Sequence, residues 1–162
     1  MNEAKIILDH QKLVEALEVH RKKGQRIVLT NGCFDFIHVG HIRCLRGAKA
    51  EGDVLVVGVN SDSSVQKTKG PGRPLIPEEE RLEILSAIRW VDYLTLFFEP
   101  TVDELLKKIR PQVFAKGTDY TVENVPERNT ALSVNARIAI VGDPKGHSSR
   151  EYIRKIRELN ST

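Results

Sequence analysis

Short apolar runs bounded by turn residues alternate with longer stretches of helical period along the 162-residue chain. Residues 27–29, 54–59, 91–97, 113–115 and 137–141 are apolar, too short for helices, and read as strands buried on both faces of a parallel sheet. Residues 9–23 place Leu13, Ala16, Leu17 and His20 on one stripe of a helix that Gly24 stops. A second helix runs to residue 50 with Leu45 and Ala48 inward, closed by Gly52 and Asp53. Pro77 opens a third, with Glu78, Glu79 and Glu80 in a first turn where acids complement the dipole. Residues 102–109, capped at Thr101, and residues 150–159, with Ile153 and Ile156 inward, complete the set. Residues 121–133 fit either a loop or a short helix.

Strand and helix patterns that alternate in this way predict a three-layer, Rossmann-like α/β fold: a parallel sheet of about five strands with helices on both faces. The length suits one domain over 1–162, with a helical extension over 1–24 and the core over 25–162. The composition, 40% hydrophobic and 29% charged, is ordinary globular usage. A net charge of +3 with both signs interspersed indicates neither a nucleic-acid nor a membrane surface. No apolar run approaches the ~20 residues that span a bilayer. Cys33 and Cys44 are the only cysteines and no hydrophobic signal stretch stands at the N-terminus, so a reducing, cytoplasmic setting is expected.

The chemistry concentrates in residues 26–43, RIVLTNGCFDFIHVGHIR. Strand, glycine-bearing loop and helix start together point free N–H groups and a positive dipole end at an anion, so a phosphate is the expected ligand. His38 and His41 are three apart, which puts both imidazoles on one face of the first helical turn, and Gly40 between them permits close approach. Metal binding is the rival reading, but it has only two imidazoles and Asp35 to draw on, with no CxxC or HExxH. Cys33 in this loop has no neighbouring base committed to it, and an inert thiol is expected.

Ligands gather at the carboxyl ends of strands in such sheets, so this loop and Asn60-Ser61-Asp62 should open onto one crevice. A cationic loop follows, Lys67, Lys69 and Arg73 threaded with glycine and proline, able to fold over a triphosphate. Lys116, Gly117 and Asp119 stand at another strand exit, which fits nucleotide recognition or a plain polar turn. Ser148 and Ser149 open the last helix, where hydroxyls cap the helix or bind an anion with its free N–H groups.

GCFDFIHVGH resembles the signature of the HxGH nucleotidyltransferases. TNGCFDFIHVGH, VNSD, KGPGRP and FAKGTDY are similar, in that order, to the adenylyltransferase domain of the ADP-heptose synthesis enzymes. The resemblance implies strand order 3-2-1-4-5 and AMP transfer from ATP, with Mg2+, to a sugar 1-phosphate, most closely D-glycero-beta-D-manno-heptose 1-phosphate. It assigns catalysis to His38, His41 and Lys67. It assigns nucleotide binding to Asn31, Gly32, Cys33, Phe34, Asp35, His38, Gly40, His41, Lys116, Gly117, Asp119, Ser148 and Ser149. Phosphate or sugar contacts fall to Asn60, Asp62, Lys67, Lys69, Arg73 and Arg81, and the metal is held through the triphosphate alone. Substrate would come from a separate sugar kinase, and a homodimer is also within the expectation. The family's serine-threonine-threonine run is Ser148-Ser149-Arg150 here, and its double glycine is Asn135-Ala136. Two other readings stay open: a cytidylyltransferase for a polyol phosphate, and a nucleotide sensor without turnover.

Overall fold

Alternate side chains of the five longer strands enter two separate apolar clusters: Val28, Leu55, Val57, Leu94 and Ala115 on one face, Ile27, Leu29, Val56, Phe97 and Phe114 on the other. A sheet apolar on both faces must be covered on both. The computed structural model describes residues 3–144, 146 and 148–159, with only the backbone of Arg150. In chain order the elements are β1 (Lys5–Ile6), α1 (His10–Lys22), β2 (Ile27–Gly32), α2 (Val39–Ala50), β3 (Val54–Asn60), α3 (Asp62–Lys69) and α4 (Glu78–Ser86). There follow β4 (Tyr93–Phe97), α5 (Asp103–Ile109), β5 (Val113–Gly117), α6 (Arg128–Ser133), β6 (Arg137–Val141) and α7 (Ser149–Leu159). Leu45 and Ala48 of α2 and Leu82 and Leu85 of α4 fill the first cluster. Leu13 and Leu17 of α1, Leu105, Leu106 and Ile109 of α5, and Ala131 of α6 fill the second.

All pairings are parallel, in the order β1-β4-β3-β2-β5-β6. The five long strands therefore follow the expected 3-2-1-4-5. The sixth, β1, adds Lys5 and Ile6 beside Tyr93 and Leu94 within a segment expected to be a helical extension. A two-residue strand leaves no alternation to read. β2 and β5 are the neighbours at which the connections reverse direction, and Thr30 ties them by donating Oγ1–H to the Ala115 carbonyl at 2.9 Å. That seam is the switch point where such sheets hold ligands.

Two local expectations are corrected, and one left open is decided. Lys67 and Lys69 lie in the helix α3, not in a loop. Its sequence, DSSVQKTK, lacks an apolar stripe, and its start is set by the Ser61 hydroxyl accepting from Ser64 N at 3.2 Å. Thr101 does not cap α5; its hydroxyl goes to the Asp103 carboxylate, and the helix starts from Val102 without a side-chain cap. Residues 128–133 do form the short helix α6, after which Asn135 takes a left-handed φ of 60°. Asparagine is among the residues that accept this conformation, which accounts for its standing where glycine is usual.

Gly52, in the turn from α2 to β3, is fixed by close approach: a Cβ there would lie 2.7 Å from Val28 Cγ2 and 2.8 Å from the Arg26 carbonyl oxygen. A backbone oxygen cannot move aside as a side chain can. Gly52→Ala is expected to cost about 1–3 kcal/mol in denaturant unfolding, and unchanged stability would contradict that packing.

Candidate active site

After Gly32 the chain turns sharply: Phe34 adopts φ 49°, and its ring folds back so that a Cβ on Gly32 would sit 3.0 Å from it. A non-glycine residue held at positive φ marks a loop fixed by its surroundings. Buried Asp35 supplies much of that hold. Its carboxylate accepts from Leu75 N at 2.6 Å and Ile76 N at 3.0 Å and pairs with Arg73, which clasps segment 73–76 against the loop. Gly70 and Gly72, at φ 91° and 79°, let the chain double back from α3 to reach this clasp.

The two histidines then cap α2 reciprocally. His38 Nδ1 accepts from Gly40 N at 3.2 Å, and His41 Nδ1 accepts from His38 N at 3.3 Å. An accepting Nδ1 carries a lone pair, so in the neutral ring the hydrogen is on Nε2. The ring centroids are 4.0 Å apart, and Phe34 lies 5.4 Å from His41. Burial first, then the neighbouring His38 and Lys69, lower the His41 pKa to about 4. At pH 7 His41 is a neutral donor at the positive end of α2.

This lowered pKa also bears on stability. An unfolded His41 takes up a proton below about pH 6.5, whereas the folded one does so only near 4, so protons favour the unfolded chain in that window. The melting temperature is expected to fall as pH drops from 6.5 to 4, and to fall less in His41→Ala. Equal slopes in the two proteins would refute the assignment.

A cleft of about 570 Å³ opens at these rings, and His38, Gly40, His41, Lys69, Arg73, Gly117, Asp119, Ser148 and Ser149 all line it. Ser148 caps α7 by accepting from Glu151 N at 3.2 Å, and Ser149 donates to the Phe36 carbonyl at 3.1 Å, fastening α7 to the histidine loop. The side chain of Arg150, which stands at the end of that run, lies outside the described residues.

Several expected residues stand elsewhere. Lys67 is on the exposed surface of α3 and does not line the cleft, whereas Lys69 does. Arg81 is fully buried and gives its guanidinium to the carbonyls of Ile76, at 3.0 Å, and Cys33, and to Asp62 Oδ1 at 2.7 Å. It braces the histidine loop against α3, and Asp62 is its partner. Lys116 is also buried, with Nζ 3.1 Å from Asn31 Oδ1, 3.3 Å from Glu127, and over the Tyr120 ring at 4.9 Å. Asn60 donates to the Ser64 hydroxyl at 3.0 Å, and its Oδ1 is 3.8 Å from Cys33 Sγ. Burial raises the Cys33 and Cys44 thiol pKa values, in keeping with an inert Cys33.

Sequence reasoning missed Cys44, Thr118, Tyr120 and Asp143 in the cleft wall, Glu127 behind it, and Tyr152, whose ring lies 5.9 Å from His38. Cys44 was findable, three residues beyond His41 on the same helical face. Nothing in the polar stretch around Glu127 signals its burial. Among the described residues no cluster of three or more His, Cys, Asp or Glu could hold a metal ion, and none of the described helices is long and apolar enough to cross a membrane.

Residues 29–155, which carry the helix-capping histidine pair at the switch point of this 3-2-1-4-5 sheet, match the family described as cytidylyltransferase-like. The chain belongs to that family. It is 43% identical over 146 residues to the bifunctional protein HldE of Syntrophotalea carbinolica, covering 90% of this chain and 30% of that one. The HldE of Geobacter metallireducens is 44% identical over 144 residues, 89% of this chain and 29% of that one. The chain thus spans about 30% of the length of these curated relatives. Among solved structures, a lipopolysaccharide core biosynthesis protein from Thermoplasma volcanium superposes with TM-score 0.65 at 28% identity, over 75% of this chain and all of that one. A pantoate-beta-alanine ligase from Francisella tularensis reaches the same TM-score at 18% identity, over 93% of this chain and 73% of that one, and shares the fold.

Proposed function

We propose that this domain transfers AMP from ATP to a sugar 1-phosphate, D-glycero-beta-D-manno-heptose 1-phosphate before others, releasing pyrophosphate. The reading rests on one observation: reciprocal capping that leaves both imidazoles with hydrogen on Nε2 at a helix N-terminus. The similarity to a lipopolysaccharide core biosynthesis protein from Thermoplasma volcanium, and the resemblance of the chain's motifs to the adenylyltransferase domain of the ADP-heptose synthesis enzymes, support the substrate class.

In the proposed step an oxygen of the sugar phosphate attacks the α-phosphorus in line. A P–O bond forms there as the bond to the β-phosphate breaks, and pyrophosphate leaves with the electron pair. The attacking monoester is already anionic at pH 7, so no base is required and catalysis consists of positioning and charge neutralisation. His38 and neutral His41 donate from Nε2 to phosphoryl oxygens as charge develops, and Lys69 neutralises the triphosphate. Asp119 takes hydrogen bonds from the nucleoside, and the N-terminus of α7 at Ser148 faces a second phosphate. Mg2+ fits this donor set as a companion of the triphosphate, because the cleft offers it few carboxylates of its own. A sugar kinase would supply the acceptor.

The test incubates the protein with Mg2+, ATP or CTP, and a panel of sugar 1-phosphates, reading nucleotide-sugar by mass. ADP-heptose as the main product is expected. A CDP-linked product from a polyol phosphate would favour a cytidylyltransferase, and nucleotide binding without any product would favour a sensor.

A further inference from the structure

A second groove, about 390 Å³, adjoins the cleft and shares Lys69 and Arg73 with it. Its other wall is α7, through Ile153, Arg154 and Arg157, and Leu75 adds an apolar surface. Among the described residues no acidic one lines it. Ser148 and Ser149 at the start of α7 line the first cleft, so one helix runs from one site to the other. At 1.5 Å per residue, Arg154 and Arg157 stand about 7.5 and 12 Å along the axis from Ser149.

We propose that this groove seats the acceptor, an anionic sugar 1-phosphate, with Arg154 and Arg157 as its binding residues. The inference rests on the nucleotidyl-transfer reading above and adds where the second substrate lies. Two anions must meet in this reaction, and cations committed to the triphosphate cannot also recruit the acceptor. Lys69 is committed to the triphosphate and Arg73 is paired with Asp35, and the further cations that line the groove are Arg154 and Arg157 of α7. Arg154 pairs with Glu158 at 3.4 Å with its side chain 68% exposed, a loose helical pair that a phosphate dianion can displace. Leu75, itself 52% exposed, and Ile153 offer the C–H face of the sugar a surface beside those charges. Lys69 and Arg73, common to both spaces, then stand where the acceptor oxygen approaches the α-phosphorus.

The test uses the full chain and the double variant R154A/R157A, with R154K/R157K as the charge-conserving control. In steady-state turnover the alanine variant is expected to raise KM for the sugar 1-phosphate by about tenfold or more, with KM for ATP within about twofold of the parent. The lysine variant should recover most of the loss. An equal rise in both KM values, or no change in either, would overturn the proposal.

Calorimetric titration of heptose 1-phosphate, in the presence of a non-hydrolysable ATP analogue, separates the groove from the reaction. If turnover fails with every sugar phosphate but the parent binds this ligand and the double variant binds it about tenfold more weakly, the groove stands and the transfer reading falls. Equal affinity in the two proteins, or no binding to the parent, sinks the groove assignment.

Discussion

His41→Ala is expected to lower kcat by about 10² or more, the scale on which one aligned donor to a developing charge is lost, while KM for ATP moves by a few-fold at most. The substitution removes three things: the Nδ1 that accepts from His38 N, the Nε2–H donor, and the ring packed between His38 and Phe34. Because the lowered pKa keeps the ring neutral at pH 7, no full charge is lost and ground-state binding of the triphosphate should survive. His41→Gln keeps an N–H donor of similar reach and should recover part of the loss. Initial rates at saturating ATP and acceptor decide the matter. Near-parental kcat in His41→Ala would remove the ring from the chemistry.

Arg81→Ala should instead act on the fold. Its guanidinium is fully buried and holds two carbonyls and a carboxylate. Removing one partner of a buried charged network typically costs several kcal/mol. Asp62 is partly exposed and can rehydrate, so about 3 kcal/mol is expected. In a domain of this size that lowers Tm by roughly 6–12 °C. Arg81→Lys keeps the charge but not the planar fork that serves three acceptors, and should recover little. Thermal unfolding and KM for ATP separate the two roles: a direct phosphate contact would raise KM and leave Tm alone. Unchanged Tm would refute the bracing role.

The outcome at Arg81 shows where the sequence stops being informative. Its place beside the first turn of α4 fits a solvent-facing arginine and a phosphate-binding one equally, and only the return of the chain through Ile76 and Cys33 selects burial. Lys116 is similar: a strand-exit lysine suggests an exposed ligand contact, but α6 brings Glu127 over it. Lys67 and Lys69 are two residues apart, and α3 turns them in different directions, only Lys69 to the cleft. Their helix was illegible because its start depends on serine hydroxyls and its packing on Ser64 and Val65, not on an apolar stripe.

The order of the five long strands was expected only from the family resemblance; the alternation of strands and helices, the two-faced burial of the sheet and the histidine pair at the start of α2 were determined by the sequence. They rest on local periodicity and on spacing along one helix, which neighbouring residues fix among themselves. Which charged groups meet solvent, which brace the loop and which share a cleft was decided by the tertiary structure alone. Those relations join residues tens of positions apart, Asp35 to Arg73 and Arg81 to Cys33, and a buried charge is stable only where the folded chain returns a partner to it.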